Sequence, residues 1–200
     1  MPERPARSTQ KDVIVFRRAL VTAASAVLAL ALVPAAPAAA DDIQIVEGYS
    51  ATMKENDSKF FCPSGEVLIG RSHTGDENGW TTYRCGRIYI NNVQVTVSSY
   101  RYQQVDHETY SWFEAPESNA MVGREHDGDE NGLTSAYFSL LTWQGKPVAL
   151  LNKRWSQTYR ESKHDSRANP GEVMTGRRHF GDENGDTIYQ YATVARPIEP

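Results

Sequence analysis

The sequence predicts an all-β domain made of three repeated units, and three observations carry that prediction. The stretch Gly-Arg-x-His-x-Gly-Asp-Glu-Asn-Gly-x-Thr occurs three times, at a spacing of 53 residues and with no gap. The surrounding sequence keeps the same register: Tyr49, Tyr102 and Trp155 align, as do Lys54-Glu55, His107-Glu108 and Arg160-Glu161. The apolar segments are short, rich in Val, Ile, Thr and Tyr, and bounded by turn residues, with no helical period anywhere after the first 40 residues. A fixed period in this range marks a repeat architecture. About four short strands per unit, hence about twelve in all, suit a pseudo-threefold β-trefoil or β-prism-like body, with the trefoil slightly favoured.

In chain order, residues 1–40 read as an export signal. Arg17 and Arg18 precede an apolar run from Ala19 to Val33 and an Ala-rich stretch ending at Ala40. That is a charged region, an apolar region and a small-residue cleavage site. The run is shorter than the roughly 20 residues a membrane span needs, and no later segment is apolar enough to cross a bilayer. Residues 41–200 then form one domain, with units at about 45–97, 98–150 and 151–200. The expected location is secreted and extracellular.

The whole chain has 21 basic and 25 acidic residues, and the first 40 residues hold five and two of these, leaving 16 against 23. A net charge of −7 disfavours binding to phosphate backbones, so no nucleic-acid partner is expected. A domain of this length buries roughly 68–70% of its unfolded surface, enough for one core.

In the first unit, residues 67–69, 83–90 and 93–97 read as strands, and Val93, Val95 and Val97 alternate with polar neighbours as in a half-buried strand. The only two cysteines, Cys62 and Cys85, flank the first motif. In an exported chain such a pair favours one disulfide, worth roughly 3 kcal/mol through loop closure. The equivalent positions hold Ala115 with Phe138 and Ala168 with Tyr191, in each case a small residue with a large aromatic one that would fill the same volume.

The motif itself has two readings. Asn-Gly is a strong hairpin signal, and Asp can cap backbone N–H groups, so the motif can be a repeated turn. A turn centred on Asn78-Gly79 would leave Cys62 roughly 33 Å from Cys85 along an extended strand. The loop is therefore expected to be wider than a two-residue hairpin, or the chain doubles back at Pro63-Ser64-Gly65. A turn also has no need of Arg, His, Asp and Glu in every copy. That surplus nominates Arg71, His73, Asp76, Glu77, Asn78 and Trp80 as a ligand-binding set. The second and third sets are Arg124, His126, Asp129, Glu130 and Asn131, and Arg177, His179, Asp182, Glu183 and Asn184. Carboxylates, amides and guanidinium groups with an adjacent aromatic suit a glycan. Asp182, Asn184 and Asp186 come nearest to a calcium loop, though the later acidic ligand is absent, and three loops meeting on an axis could join His73, His126 and His179 as a zinc site. No cofactor is expected beyond that low-ranked calcium. No nucleophile recurs beside the histidines, so no enzyme is expected.

Residues Phe61-Cys62-Pro63-Ser64-Gly65-Glu66-Val67, onward to Trp80 and Tyr83-Arg84-Cys85, resemble a repeat of the dermatopontin family. The resemblance implies a bonded Cys62–Cys85 pair and extracellular adhesion or carbohydrate binding. The Asp-Arg-x-Trp step of that family is replaced here by Asp-Glu-Asn-Gly, so its binding residues do not carry over. The function expected is therefore a secreted, multivalent, lectin-like protein recognising extracellular or cell-surface glycan. The alternative is a structural or interaction protein, such as an adhesion protein or protease inhibitor, whose loops are only turns.

Overall fold

A computed structural model describes residues 40–56, 58–76, 78–128, 131–182 and 184–197. The export signal, up to residue 39, and the nominated residues Glu77, Asp129, Glu130 and Glu183 lie outside the described residues.

The described chain is all-β. The first unit supplies β1 (Ile43–Lys54), β2 (Ser58–Phe61), β3 (Val67–Thr74) and β4 (Trp80–Ile90), followed by the short β5 (Val93–Gln94) and β6 (Thr96–Val97). The second supplies β7 (Tyr102–His107), β8 (Tyr110–Glu114), β9 (Asn119–Asp127), β10 (Leu133–Trp143) and the short β11 (Lys146–Pro147). The third supplies β12 (Ala149–Trp155), β13 (Tyr159–Arg160), β14 (Lys163–Arg167), β15 (Glu172–Phe180) and β16 (Asp186–Ala195). The count exceeds the expected twelve because β5, β6, β11 and β13 are two-residue strands. The segment 93–97 is correspondingly broken into β5 and β6, and within it only Val95 is fully buried while Val93 is exposed.

Together the strands form one nearly closed, barrel-like sheet. Within each unit the long fourth strand is flanked by the first and third: β4 by β1 and β3, β10 by β7 and β9, β16 by β12 and β15. The remaining strand of each unit leaves it. β2 pairs with β9 of the second unit, β8 with β15 of the third, and β14 with β3 of the first. The registers match: Ser58 lies opposite His126, Ser111 opposite His179, and His164 opposite His73.

The long strands bury their residues in two phases. Along β4, Thr81, Tyr83 and Cys85 point inward, and after Gly86 the inward set becomes Ile88 and Ile90. A residue has to be skipped for alternation to change phase, and β-bulges do this. The third strand of each unit carries such a shift at one equivalent place, skipping Ile69, Val122 and Thr175. The core divides accordingly into two apolar clusters. One is centred on Leu68, Met121 and Met174 with Tyr83 and Tyr189, the other on Val67, Ile88, Leu141 and Val194.

Cys62 and Cys85 form the disulfide, with Cα atoms 5.8 Å apart. Ala115, Phe138 and Tyr191 are buried in the same cluster and Ala168 packs against it, so small-plus-aromatic pairs stand where the first unit has its disulfide. The Tyr191 hydroxyl is 2.8 Å from Ser166 Oγ, which satisfies the one polar atom this replacement adds. Both geometric routes to the disulfide are used. Five residues separate Thr74 from Trp80, which pair across the motif, so the loop is wide. The chain also reverses at Pro63, where the Glu66 N–H donates to the Pro63 carbonyl at 3.0 Å and Gly65 takes a φ of 80°.

Candidate functional site

Arg71, Arg124 and Arg177 sit on the third strands, two residues before the motif histidines, and all three turn inward. There they meet Glu55, Glu108 and Glu161, which follow the first strand of each unit or, in the third unit, β13. Arg71 lies 2.9 Å from Glu55 and 2.6 Å from Glu161. Arg124 pairs with Glu55 and lies 2.7 Å from Glu108. Arg177 lies 2.7 Å from Glu108 and 3.3 Å from Glu161. Each carboxylate thus bridges two guanidinium groups from different units, and the six charges close into one alternating ring. The arginine side chains are at most 1% exposed and the carboxylates at most 9%.

Isolated buried charges are expensive, and pairing offsets that cost only when geometry and hydrogen bonding are good. Burial pushes each Glu carboxyl up, but the two flanking arginines win and hold all three below the usual carboxylate range. Burial likewise works against each guanidinium, and the neighbouring carboxylates hold its pKa above the usual value. The ring is therefore fully ionised and internally neutral. Its weak point is that the Nε atoms of Arg71, Arg124 and Arg177 are buried with no hydrogen-bond partner among the described residues.

The motif builds a lid over this ring. The Glu55, Glu108 and Glu161 N–H groups donate to the carbonyls of Gly79, Gly132 and Gly185, at 3.1, 2.9 and 2.9 Å, so the loop's second glycine places the carboxylate. The Thr81 hydroxyl lies between the Glu55 carboxylate and His73 Nδ1. His73 Nε2 is 3.1 Å from the carbonyls of both Gly75 and Asp76, and His179 Nε2 is 2.8 Å from that of Gly181. Asp76 and Asp182 accept from the N–H groups of Asn78 and Asn184 at 3.0 and 2.9 Å, the Asx cap expected of a turn. The first glycine of each loop has positive φ, and at Gly75 an added Cβ would stand 2.7 Å from Gly79 Cα, so no other residue fits. Loops are also tied across units: the Gly75 N–H donates to the Ser162 carbonyl and the Gly181 N–H to that of Thr109.

The nominated residues thus divide. Arg71, Arg124, Arg177, His73, His126 and His179 are buried beneath the loops and belong to the support, with no face available to an external ligand. Asp76, Asn78, Asn131, Asp182 and Asn184 are exposed, and Trp80 is 54% exposed with Lys54 Nζ 4.4 Å over its ring. His73 and His179 each bond their own loop, and no group of three His, Cys, Asp or Glu among the described residues is placed to hold a metal ion. Burial, then the adjacent arginine, lowers the pKa of each of these histidines, which favours the neutral ring.

The residues that the motif did not reveal are Glu55, Glu108 and Glu161. Their signal was present, since each recurs 16 residues before a motif arginine. Comparison with family models, curated proteins and solved structures gives no match, so the site is read from its own geometry.

Proposed function

We propose that this is an extracellular binding protein that recognises glycan through the outward faces of its three Gly-Asp-Glu-Asn-Gly loops. In this reading the loops are presented together on a pseudo-threefold body of the trefoil or prism kind. The observation that carries it is the closed Arg–Glu ring. In each loop the second glycine accepts from the N–H of a ring glutamate, which supports a reading in which the three loops share one end of the barrel. What faces out there is the exposed set Asp76, Asn78, Asn131, Asp182 and Asn184, planar acceptors and donors of the kind that read sugar hydroxyls. A loop held by buried ion pairs loses little freedom on binding, which lowers the cost of a shallow polar contact. Each loop alone binds weakly, and joint engagement of a surface raises avidity by roughly 10²–10⁴. The disulfide is compatible with an extracellular location. His73, held between Thr81 and loop carbonyls, is assigned no catalytic role.

The test is retention on polysaccharide-coated surfaces of the wild type, of Asp76→Ala/Asn78→Ala, and of that variant combined with Asp182→Ala/Asn184→Ala. Retention should fall markedly with one loop altered and nearly vanish with two, with circular dichroism showing each variant folded at the assay temperature. Undiminished retention of the four-substitution variant sinks the proposal.

A second reading is favoured by one specific observation: Arg, His and Thr of the motif are all consumed internally. On that reading the protein is a structural or interaction protein, the loops are lids on the ionic ring, and no glycan retains it.

A further inference from the structure

The three places where one unit hands a strand to the next use equivalent residues but different chemistry. Where β2 meets β9, Lys59 pairs with Glu125 at 2.9 Å. Where β14 meets β3, Asp165 lies opposite Ser72 and reaches past it to Arg84 on β4 at 3.2 Å. Where β8 meets β15, the corresponding residue is Trp112, opposite Arg178. The Arg178 guanidinium lies over that indole, 3.3 Å from the ring centre, and 5.2 Å from the ring centre of Trp155. The Trp112 Nε1–H donates to Glu114 at 2.6 Å, which fixes the plane of the ring.

This junction also carries Tyr110 and Phe180, paired across the strands and touching edge to face with centroids 5.7 Å apart. Tyr110, Trp112 and Phe180 are 57%, 48% and 66% exposed. The sister junctions carry charged and polar residues at these positions, an ion pair across β2 and β9 and Asp165 opposite Ser72 across β14 and β3, so strand pairing does not call for three aromatics in solvent. Exposed apolar side chains gathered into one patch, rather than scattered singly, mark an interaction site. These rings border a groove of about 200 Å³ that is also lined by Thr158, Arg178 and Asp186. Asp186 is held on the far side by Arg160 at 3.4 Å.

We infer that this groove is a sugar subsite, which seats one neutral pyranose ring of a glycan chain. Aromatic faces carry negative charge density and attract the polarised C–H face of a sugar, whereas ring edges and polar groups take its hydroxyls. Asp186 supplies a carboxylate acceptor, Thr158 a hydroxyl, and Arg178 N–H donors with no carboxylate within ion-pair distance among the described residues. The volume suits one ring, being below the roughly 300–1,000 Å³ of clefts for larger ligands. The acidic excess of the chain works against an anionic sugar. The inference rests on the glycan reading above, but it places the first sugar contact on residues outside the loops.

The experiment is affinity electrophoresis and calorimetry of the full chain with neutral gluco-, manno- and galacto-oligosaccharides, and with heparin as the anionic probe. At least one neutral series should bind, and Trp112→Ala and Phe180→Ser should each weaken it at least about tenfold. Lys59→Ala/Glu125→Ala, at the sister junction, should leave it unchanged. Circular dichroism accompanies each variant. Phe180→Ser removes a side chain that stands mostly in solvent, so it serves if Trp112→Ala does not fold. Neutral-sugar binding that survives both groove substitutions, while the loop variants abolish it, overturns the groove and leaves the loop proposal standing. Binding of heparin alone overturns the neutral subsite. Binding of no probe overturns both.

Discussion

Replacing Glu108 by Gln removes one negative charge from the centre of the buried ring and nearly nothing else. Glu108 accepts from Arg124 and from Arg177, each at 2.7 Å, so the substitution leaves two guanidinium groups facing a neutral amide. Removing one partner of a buried ion pair costs about 3–5 kcal/mol, because the stranded charge keeps its desolvation penalty. Here the residual charge is shared with Glu55 and Glu161 around the ring, which argues for the lower end, about 3 kcal/mol. Against a typical stability of roughly 5–15 kcal/mol this is a large fraction. The matched control is Glu125→Gln, whose partner Lys59 is 57% exposed and whose loss should cost less than about 1 kcal/mol. Urea unfolding followed by tryptophan fluorescence gives both values, with the slope checked for constancy. If the two substitutions cost the same, the ring does not organise the core and the account of the motif given above is wrong.

Stability should also depend on pH in one direction. The motif histidines have folded pKa values lowered from 6.5, so their penalty is absent above about pH 6.5 and grows as pH falls through that value. The ring glutamates are lowered from 4.5, so their contribution is present above that pH and is lost below it. The melting temperature should be flat from pH 7 to 9, fall below about 6.5 and fall more steeply below about 4.5; an unchanged or higher value at pH 5 contradicts this. Replacing the disulfide by the pair found in the second unit, Cys62→Ala/Cys85→Phe, should give a folded protein that loses no more than about 3 kcal/mol. Cys62→Ala/Cys85→Ala should lose more, because it adds a cavity to the same loss, and denaturant unfolding of the two variants ranks them.

The repeat, the all-β character and the disulfide were legible in the sequence because they depend on local spacing, short β-branched runs and a single pair of cysteines. The depth of the motif was not. Four ionisable residues in one loop read as a surface feature, since charged side chains are almost never fully buried unless paired. The pairing was invisible because each arginine finds one of its carboxylates 16 residues upstream and the other in a different unit, and no periodicity encodes that closure. The direction was hidden as well: the bulge at Ile69 changes the phase of β3, so Leu68, Arg71 and His73 all face inward although simple alternation would separate Leu68 from the other two. The groove beside Trp112 escaped notice for the opposite reason. Its aromatics do not repeat, and Tyr110 and Phe180 become neighbours only through a strand pairing between units.

The exchange of one strand from each unit to the next has a consequence for how such a chain can change length. In a stacked array every unit touches only its neighbours, so copies can be added or lost at an end while the rest stands. Here the third unit returns to the first through β14 and β3, and each arginine needs a carboxylate from outside its own unit. Deleting one copy would leave a strand edge unpaired and a guanidinium unmatched in the interior. Adding one would need a wider ring and a different barrel. The number three is therefore a property of the closure itself, and individual units are free to diverge in sequence but not in number.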